Sequence, residues 1–342
     1  MSLMNRLQKN SKLKHTAPLD ESKFFSQKTM VRTDVPMINA ALSGSLDGGI
    51  TSGMTVLAGP SKHFKTSFAL KIASAFLQAD PEAVMLFYDS EFGSPQSYFS
   101  TFGIDTSRVL HVPITNVEEL KFDLVNQLEN ISAEEKVIIV IDSIGNLASK
   151  KELDDALDEK SVADMSRAKA LKGLFRMTTP YLTMKDVPLL AVNHTYKEIG
   201  LFPKDIVGGG TGIYYSADNI WIIGRRQNKT GTEVTGYDFI INVDKSRYVK
   251  EKSKIPISVS WDGGIDQYSG LLDVALASGH VFKPSNGWYQ KKDGESKFRA
   301  SQLDGDFWAS ILEDQSFVEQ VEKLYRIDKR PTVELDLEEV HD

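Results

Sequence analysis

Along the middle of the chain, apolar positions gather into short, near-continuous runs, and between the early runs they recur every three to four residues. The runs at 55–58, 84–88, 109–112, 137–141, 189–192, 220–223, 239–243 and 255–261 predict strands. Phe68, Ile72, Ala75 and Phe76 share one face of a helix, as do Val117, Leu120, Leu124, Leu128 and Ile131. Strands that are apolar throughout must be covered on both faces. The pattern therefore predicts an α/β core, a mostly parallel central sheet flanked by helices. The texture changes after the DGG turn at 262–264, where the sequence predicts a short helix, a hairpin around Trp288 and Asp293-Gly294, and two helices through Arg326. We expect an N-terminal basic arm over 1–32, the core over 33–265, a small α+β C-terminal domain over 266–330 and an acidic tail over 331–342. No internal repeat or low-complexity segment interrupts this order.

Composition narrows the class. Hydrophobic content of 41% with 25% charged residues in 342 residues suits a globular protein with a sizeable core. With no cysteine, disulfides and cysteine-held zinc are excluded. A net charge of -7 argues against an all-over cationic coat but leaves room for a local basic stripe. Charge is segregated at the ends. Residues 1–28 carry Arg6, Lys9, Lys12, Lys14, Lys23 and Lys28 against Asp20 and Glu21, and 331–342 carry five carboxylates and no Lys or Arg. Such tails are either solvated ends or parts of a self-assembling protein that meets a polyanion. The opening MSLMNRLQKN has no leader-like apolar stretch and no run approaches membrane-spanning length, so a cytoplasmic enzyme with no membrane partner is expected.

One stretch carries chemistry at once. The strand at 55–58 is followed by GPSKHFKTS, comprising Gly59, Pro60, Ser61, Lys62, His63, Phe64, Lys65, Thr66 and Ser67, and then by the Phe68 helix. In a strand–loop–helix of this kind, main-chain N–H groups and the helix N-terminus face a phosphate, a lysine bridges the terminal phosphates and a hydroxyl holds magnesium. Lys65 and Thr66 fit the last two roles. Phe64 departs from the pattern, standing where a glycine is usual, and would be strained if its φ were positive. Two further strand ends agree: 137–141 runs into Asp142-Ser143, suited to holding magnesium through water, and 84–88 runs into Asp89-Ser90-Glu91. Acids at the carboxyl ends of neighbouring parallel strands share one crevice. There Glu91 could take the proton from a water attacking the γ-phosphate, with Lys65 as the other catalytic group.

These segments, together with LLAVNHTY, GGGTGIYYSAD, NVDKSRYVKEKSK and SGLLDVALASGHVFKPSNGWY, resemble the RecA/Rad51 recombinase family, and its phage branch in particular, in the same order from about Ser22 to Arg326. That branch carries phenylalanine at the Phe64 position. The resemblance implies a RecA-type P-loop ATPase that uses ATP and Mg2+, forms a helical filament on single-stranded DNA and pairs it with homologous double-stranded DNA. It implies recombination mediator and single-strand-binding proteins as partners, and the host cytoplasm as location if the chain is phage-encoded. By the same resemblance Tyr98 stacks on adenine, where the sequence alone equally suits a half-buried helix tyrosine. His194 senses the γ-phosphate, where a lone histidine is otherwise a surface residue. Lys245 and Arg247, two apart and hence on one side of a strand, reach the ATP of an adjacent protomer; otherwise they are a charged strand terminus. The arm before Phe24-Phe25 packs on a neighbour.

Two stretches without strong periodicity, 149–163 and 195–212, match the family's DNA-binding loops. Between them Lys169, Lys172 and Arg176 fall on one helical face, as a phosphate-tracking stripe or a solvated basic face. Gly208 and Gly209, with Gly210 and Gly212, would let main-chain amides approach DNA or would simply make a flexible loop. Two alternatives share much of this pattern: a RecA-fold hexameric helicase, and a non-catalytic filament or mediator protein with an impaired phosphate loop.

Overall fold

The computed structural model describes residues 2–22, 28–158, 166–198, 200, 203–230 and 232–327. Its main sheet contains β1 (Gly53–Gly59), β2 (Val84–Asp89), β3 (Val109–Pro113), β4 (Val137–Asp142), β5 (Pro188–Lys197), β6 (Asp205–Val207), β7 (Asn219–Thr230), β8 (Glu233–Ser246), β9 (Lys254–Ser260) and β10 (Gly264–Ile265). A second, smaller sheet is built from β11 (Val281–Ser285), β12 (Trp288–Lys291) and β13 (Lys297–Arg299). The helices are α1 (Leu3–Asn10), α2 (Pro36–Ser43), α3 (Lys65–Ala79), α4 (Gln96–Thr101), α5 (Val117–Asn130), α6 (Lys150–Leu157), α7 (Ser166–Met184), α8 (Thr211–Ser216), α9 (Leu271–Ala277), α10 (Gly305–Leu312) and α11 (Gln315–Tyr325).

In space the main sheet runs β3–β2–β4–β5–β1–β7, all parallel, and continues through antiparallel β8, β9 and β10. Every predicted strand is present, so the mostly parallel α/β core is as expected. Alternate residues of β1 explain the two-sided burial. Met54, Val56 and Ala58 join a cluster with Leu120 and Leu124 of α5 and Leu171 and Phe175 of α7. Leu57 joins Phe68, Ile72 and Phe76 of α3 on the opposite face. The central strands are apolar at consecutive positions because helices cover both faces.

The second cluster continues without a break into the C-terminal region. Phe307 and Trp308 of α10 and Phe317 and Val321 of α11 are buried with Ile38 and Leu42 of α2. Gly44 caps α2 at φ 79°, and a Cβ there would lie 2.7 Å from the Arg326 Cα, so the turn is closed by close main-chain approach. The region after 266 thus shares an apolar core with the sheet.

Three sequence expectations need correction. The stretch 149–163 is not loop throughout: 150–157 form α6, opened by a capping box in which Ser149 and Glu152 bond each other's main chain. The stretch 195–212 contains a hairpin, because β5 extends to Lys197 and its end pairs with β6. Residues 159–165, 199, 201 and 202 of these two stretches lie outside the described residues. Around Trp288 the chain makes a three-stranded meander, with β12 in the middle, because 297–299 return to pair with it. Phe24, Phe25 and the 331–342 tail also lie outside the described residues. The arm begins with α1, on which Leu3, Met4 and Leu7 are exposed.

Candidate nucleotide and DNA sites

β1 delivers the phosphate loop to the carboxyl edge of the sheet, with Gly59 in register beside His194 of β5. A Cβ on Gly59 would lie 2.9 Å from the Ile223 carbonyl oxygen of β7, so the strand end accepts no larger residue without movement. The loop then turns through two left-handed residues, Lys62 at φ 61° and Phe64 at φ 60°. Alternation of this kind makes a concavity of N–H groups suited to an anion, and the free N–H groups of the first turn of α3 continue it. Phe64 does adopt the conformation that favours glycine. Its ring is stacked on Phe239 of β8, with centroids 5.0 Å apart, and meets Phe68 edge-on at 5.5 Å.

Lys65 is buried, its Nζ donating to the Pro60 carbonyl at 2.8 Å across the loop. Burial lowers the affinity of this amine for its proton, and the charges of Glu91 and Asp142 oppose that effect. Thr66 Oγ1 donates to Asp142 Oδ2 at 2.8 Å. Asp142, at the tip of β4, is pushed up to about 6 by burial first, with the charges of Glu91 and Asp89 adding and the Thr66 bond opposing. Its Oδ1 is buried with no hydrogen-bond partner among the described residues. Neighbouring β2 ends in Asp89, in register with Asp142. Asp89 Oδ1 accepts the main-chain N–H of Glu91 at 3.0 Å and of Phe92 at 2.8 Å, and its Oδ2 meets His111 Nε2 at 3.1 Å. That turn presents Glu91, whose Oε1 accepts from Ser143 Oγ at 2.6 Å, Asn146 Nδ2 at 2.9 Å and His194 Nε2 at 3.1 Å.

Ser61, Lys62, His63, Phe64, Lys65, Thr66, Ser67, Glu91, Tyr98, Asp142 and His194 line one cleft of about 440 Å³. Gly59 and Pro60 form the loop behind it. His63 Nδ1 donates to the Ser61 carbonyl at 2.9 Å, and burial lowers the pKa of its ring. The Tyr98 hydroxyl is hydrogen-bonded to Ser67 and its ring meets Phe102 edge-on at 5.3 Å. The remaining wall was not foreseen: Arg225, Tyr237, Phe239 and Trp261 also line the cleft. Arg225 lies 4.6 Å from the centre of the Tyr237 ring and donates to the Lys62 carbonyl at 3.1 Å. Trp261, 62% exposed, abuts Tyr237 edge-on at 5.3 Å. Ser143 and Asn146 were missed as Glu91's partners, although Ser143 directly follows the strand-end acid.

Lys245 and Arg247 do not join this cleft. Lys245 sits at the far end of β8 and Arg247 just past it; Lys245 pairs in register with Ile220 and donates to the Tyr214 carbonyl at 2.6 Å. Arg247 forms an ion pair with Asp218.

Lys169, Lys172 and Arg176 are exposed on α7. Lys169 and Lys172 border a second cleft, of about 520 Å³, whose other wall is Gly209, Gly210, Thr211 and Gly212. Gly209 and Gly210 have φ of 93° and 76°, and a Cβ on Gly212 would lie 2.9 Å from the Lys172 Cα. Gly208 corrects the sequence argument for its amide: its N–H is already donated to the His194 carbonyl at 2.9 Å, and its carbonyl accepts from Asn193 Nδ2 at 2.8 Å.

A loop of phosphate-loop form between β1 and α3, an acid closing β4, a glutamate just past β2 and this strand order define a RecA-type core. A family model of the RecA N-terminal domain matches residues 20–266, and a model of the C-terminal domain of the bacteriophage T4 recombination and repair protein matches 268–321. The chain belongs to the RecA family of recombinases. It is 49% identical to the recombination and repair protein of Enterobacteria phage T4 over 352 aligned residues, covering 99% of this chain and 90% of that protein. Protein RecA of Mycoplasma mycoides is 26% identical, covering 82% of this chain and 80% of its own length. Protein RecA of Thermus aquaticus is 24% identical, covering 75% of each.

Proposed function

We propose that this RecA-family recombinase hydrolyses ATP when assembled as a filament on single-stranded DNA, and exchanges that strand into a homologous duplex. The observation that carries the reading is the convergence of Lys65, Thr66, Asp142 and Glu91 on one cleft beside a loop shaped for phosphate.

Magnesium fits the site, because the bare, buried Asp142 Oδ1 and the adjoining Thr66 hydroxyl offer oxygen ligands. Bound there, the ion would offset negative charge on the nucleotide phosphates. The protein's own groups do the rest. The Lys65 ammonium, now spent on a loop carbonyl, is placed to turn to the terminal phosphates and stabilise charge that builds during in-line attack. Glu91 is the base: three donors occupy Oε1, leaving Oε2 to accept a proton as the water's oxygen bonds to phosphorus and the bond to the ADP oxygen breaks. His194, bonded to Glu91 and directly before Thr195, the first paired residue of the β5–β6 hairpin, would report the phosphate to the glycine segment that borders the α7 stripe. Tyr98 would stack on adenine, and Lys169, Lys172, Arg176 and Gly209 would meet the DNA backbone.

The two alternatives draw less support. The match over 268–321 favours a recombinase over a helicase, and Phe239 accommodates the left-handed Phe64 that suggested an impaired loop. Mediator and single-strand-binding proteins are the partners this activity calls for. Among the described residues, no helix is long and apolar enough to cross a membrane.

The test is steady-state ATP hydrolysis with and without a single-stranded oligonucleotide. DNA should raise turnover, Lys65→Ala should lower it by orders of magnitude, and Glu91→Gln should abolish turnover while leaving nucleotide and DNA binding intact. Activity within a few-fold of the parent in Lys65→Ala would refute the phosphate role.

A further inference from the structure

The turn at 144–147, between β4 and α6, touches both side chains that the hydrolytic reading makes responsive. Asn146 Nδ2 donates to Glu91 Oε1 at 2.9 Å. Gly145 lies so close to the His194 ring that a Cβ there would sit 2.5 Å from His194 Cδ2. The turn is also tied to β5, since the Ile144 N–H donates to the Val192 carbonyl at 2.9 Å.

From the other side, a single residue of α7 grips the same turn. Arg167 Nε donates to the Leu147 carbonyl at 2.6 Å, and its Nη2 to the Ile144 and Gly145 carbonyls at 2.9 and 3.0 Å. A planar guanidinium spreads its donors in a fixed fork, so three carbonyls held by it move with it as a unit. Arg167 lies two residues before Lys169, at the start of the helix whose exposed face carries Lys169, Lys172 and Arg176. A continuous chain of direct contacts therefore runs from the basic helix through Arg167 and residues 144–147 to the carboxylate.

We infer that Arg167 is a positioning residue that couples α7 to Glu91, so that DNA lying along the basic stripe sets the placement of the catalytic carboxylate through Asn146. The coupling rests on the DNA-dependent ATPase reading above. Packed elements shift between discrete arrangements, so a small displacement of α7 reaches Asn146 through hydrogen bonds to rigid main chain. This route starts from α7 rather than from the β5–β6 hairpin; it touches the His194 route at Gly145, and both reach Glu91.

The experiment uses the full-length protein, oligo-dT as the probe, and the ratio of kcat with DNA to kcat without. Arg167→Gln should bind a fluescent-labelled nucleotide and oligo-dT as the parent does, with the same salt dependence, while the ratio falls roughly threefold to tenfold. Arg167→Lys should recover part of the ratio, because an ammonium can serve some of the three carbonyls. Asn146→Ala, at an exposed position, should lower the ratio similarly, and the Arg167→Gln, Asn146→Ala double variant should be no worse than the larger single effect. An unchanged ratio in both single variants, or strictly additive losses in the double, overturns the coupling. If Arg167→Gln fails to fold, Arg167→Lys and Asn146→Ala decide the matter alone. A parent protein whose turnover ignores DNA would instead refute the ATPase reading, and the coupling with it.

Discussion

Phe64 sits at φ 60°, where a residue with a Cβ is disfavoured by roughly 1–2 kcal/mol relative to a helical conformation. Its ring offsets this by stacking on Phe239 and meeting Phe68 edge-on, contacts no glycine could make. Alanine would keep the backbone cost and lose the rings, whereas glycine would lose the rings and relieve the cost. Phe64→Ala should therefore destabilise the protein more than Phe64→Gly, by about 1 kcal/mol in denaturant unfolding; the reverse order would show that the left-handed backbone at this position carries no cost for a residue with a Cβ. Asp142 makes a second prediction at this scale. Its carboxyl, raised from 3.8 to about 6 chiefly by burial, binds a proton more tightly in the folded than in the unfolded state. Stability of the nucleotide-free protein should then fall as pH rises from about 4 to about 6, and the loss persists above that window, on the order of 2–3 kcal/mol. Asp142→Asn should remove that component of the pH dependence and leave the nucleotide-free protein at least as stable at pH 7, as thermal unfolding would show. A less stable variant at pH 7 would mean the charge is well compensated.

At the scale of elements, α7 does two jobs with opposite faces. Leu171, Leu174 and Phe175 are buried in the core beneath the sheet. Lys169, Lys172 and Arg176 stand exposed on the other side, so replacing all three with Ala should leave folding intact. If each cation meets one phosphate of a single strand, the slope of log affinity against log salt should become shallower by about 2 units. An unchanged slope would place the DNA path elsewhere on the surface. The neighbouring α6 shows why this region was harder to foresee. It has no buried residue, so no apolar period marks it, although the capping signature of Ser149 followed by Glu152 was present in the sequence. Likewise the β5–β6 hairpin pairs only three residues on each side, with β6 half-buried and the end of β5 exposed, too short for an alternation to stand out.

Across the whole molecule, β8 runs antiparallel to β7 and so spans both edges of the sheet. Tyr237 and Phe239 reach the nucleotide cleft, whereas Lys245, six residues on, is roughly 20 Å away along the strand. Within one protomer these cations hold a carbonyl and Asp218 and cannot serve the phosphates. Catalysis that needs them must be shared between copies, a head-to-tail arrangement that propagates as a filament. The Lys245→Ala, Arg247→Ala double variant should bind nucleotide yet hydrolyse little with DNA present. Mixed filaments of it with Glu91→Gln protein should regain activity, since some interfaces then join an intact Glu91 to intact cations. No recovery in filaments shown to contain both would rule out catalysis in trans.

What the sequence determined by itself was local. The phosphate loop, its lysine and threonine, the acids closing two strands and the amphipathic faces of α3 and α5 each lie within a few neighbouring residues, where spacing along the chain fixes spacing in space. Helical spacing put Lys169, Lys172 and Arg176 on one face, and the family resemblance added expectations for Tyr98 and His194. Only the tertiary structure decided what depends on pairing between distant segments. Register set Gly59 beside His194 and Asp89 beside Asp142. The return of β8 brought Phe239 onto Phe64, 175 residues away in sequence. Packing of α7 against the β4 turn set Arg167 on three carbonyls. Apolar patterning says which faces are buried, but a hydrophobic surface is non-directional; it takes the hydrogen-bonded ladders and the closed core to choose which polar groups meet.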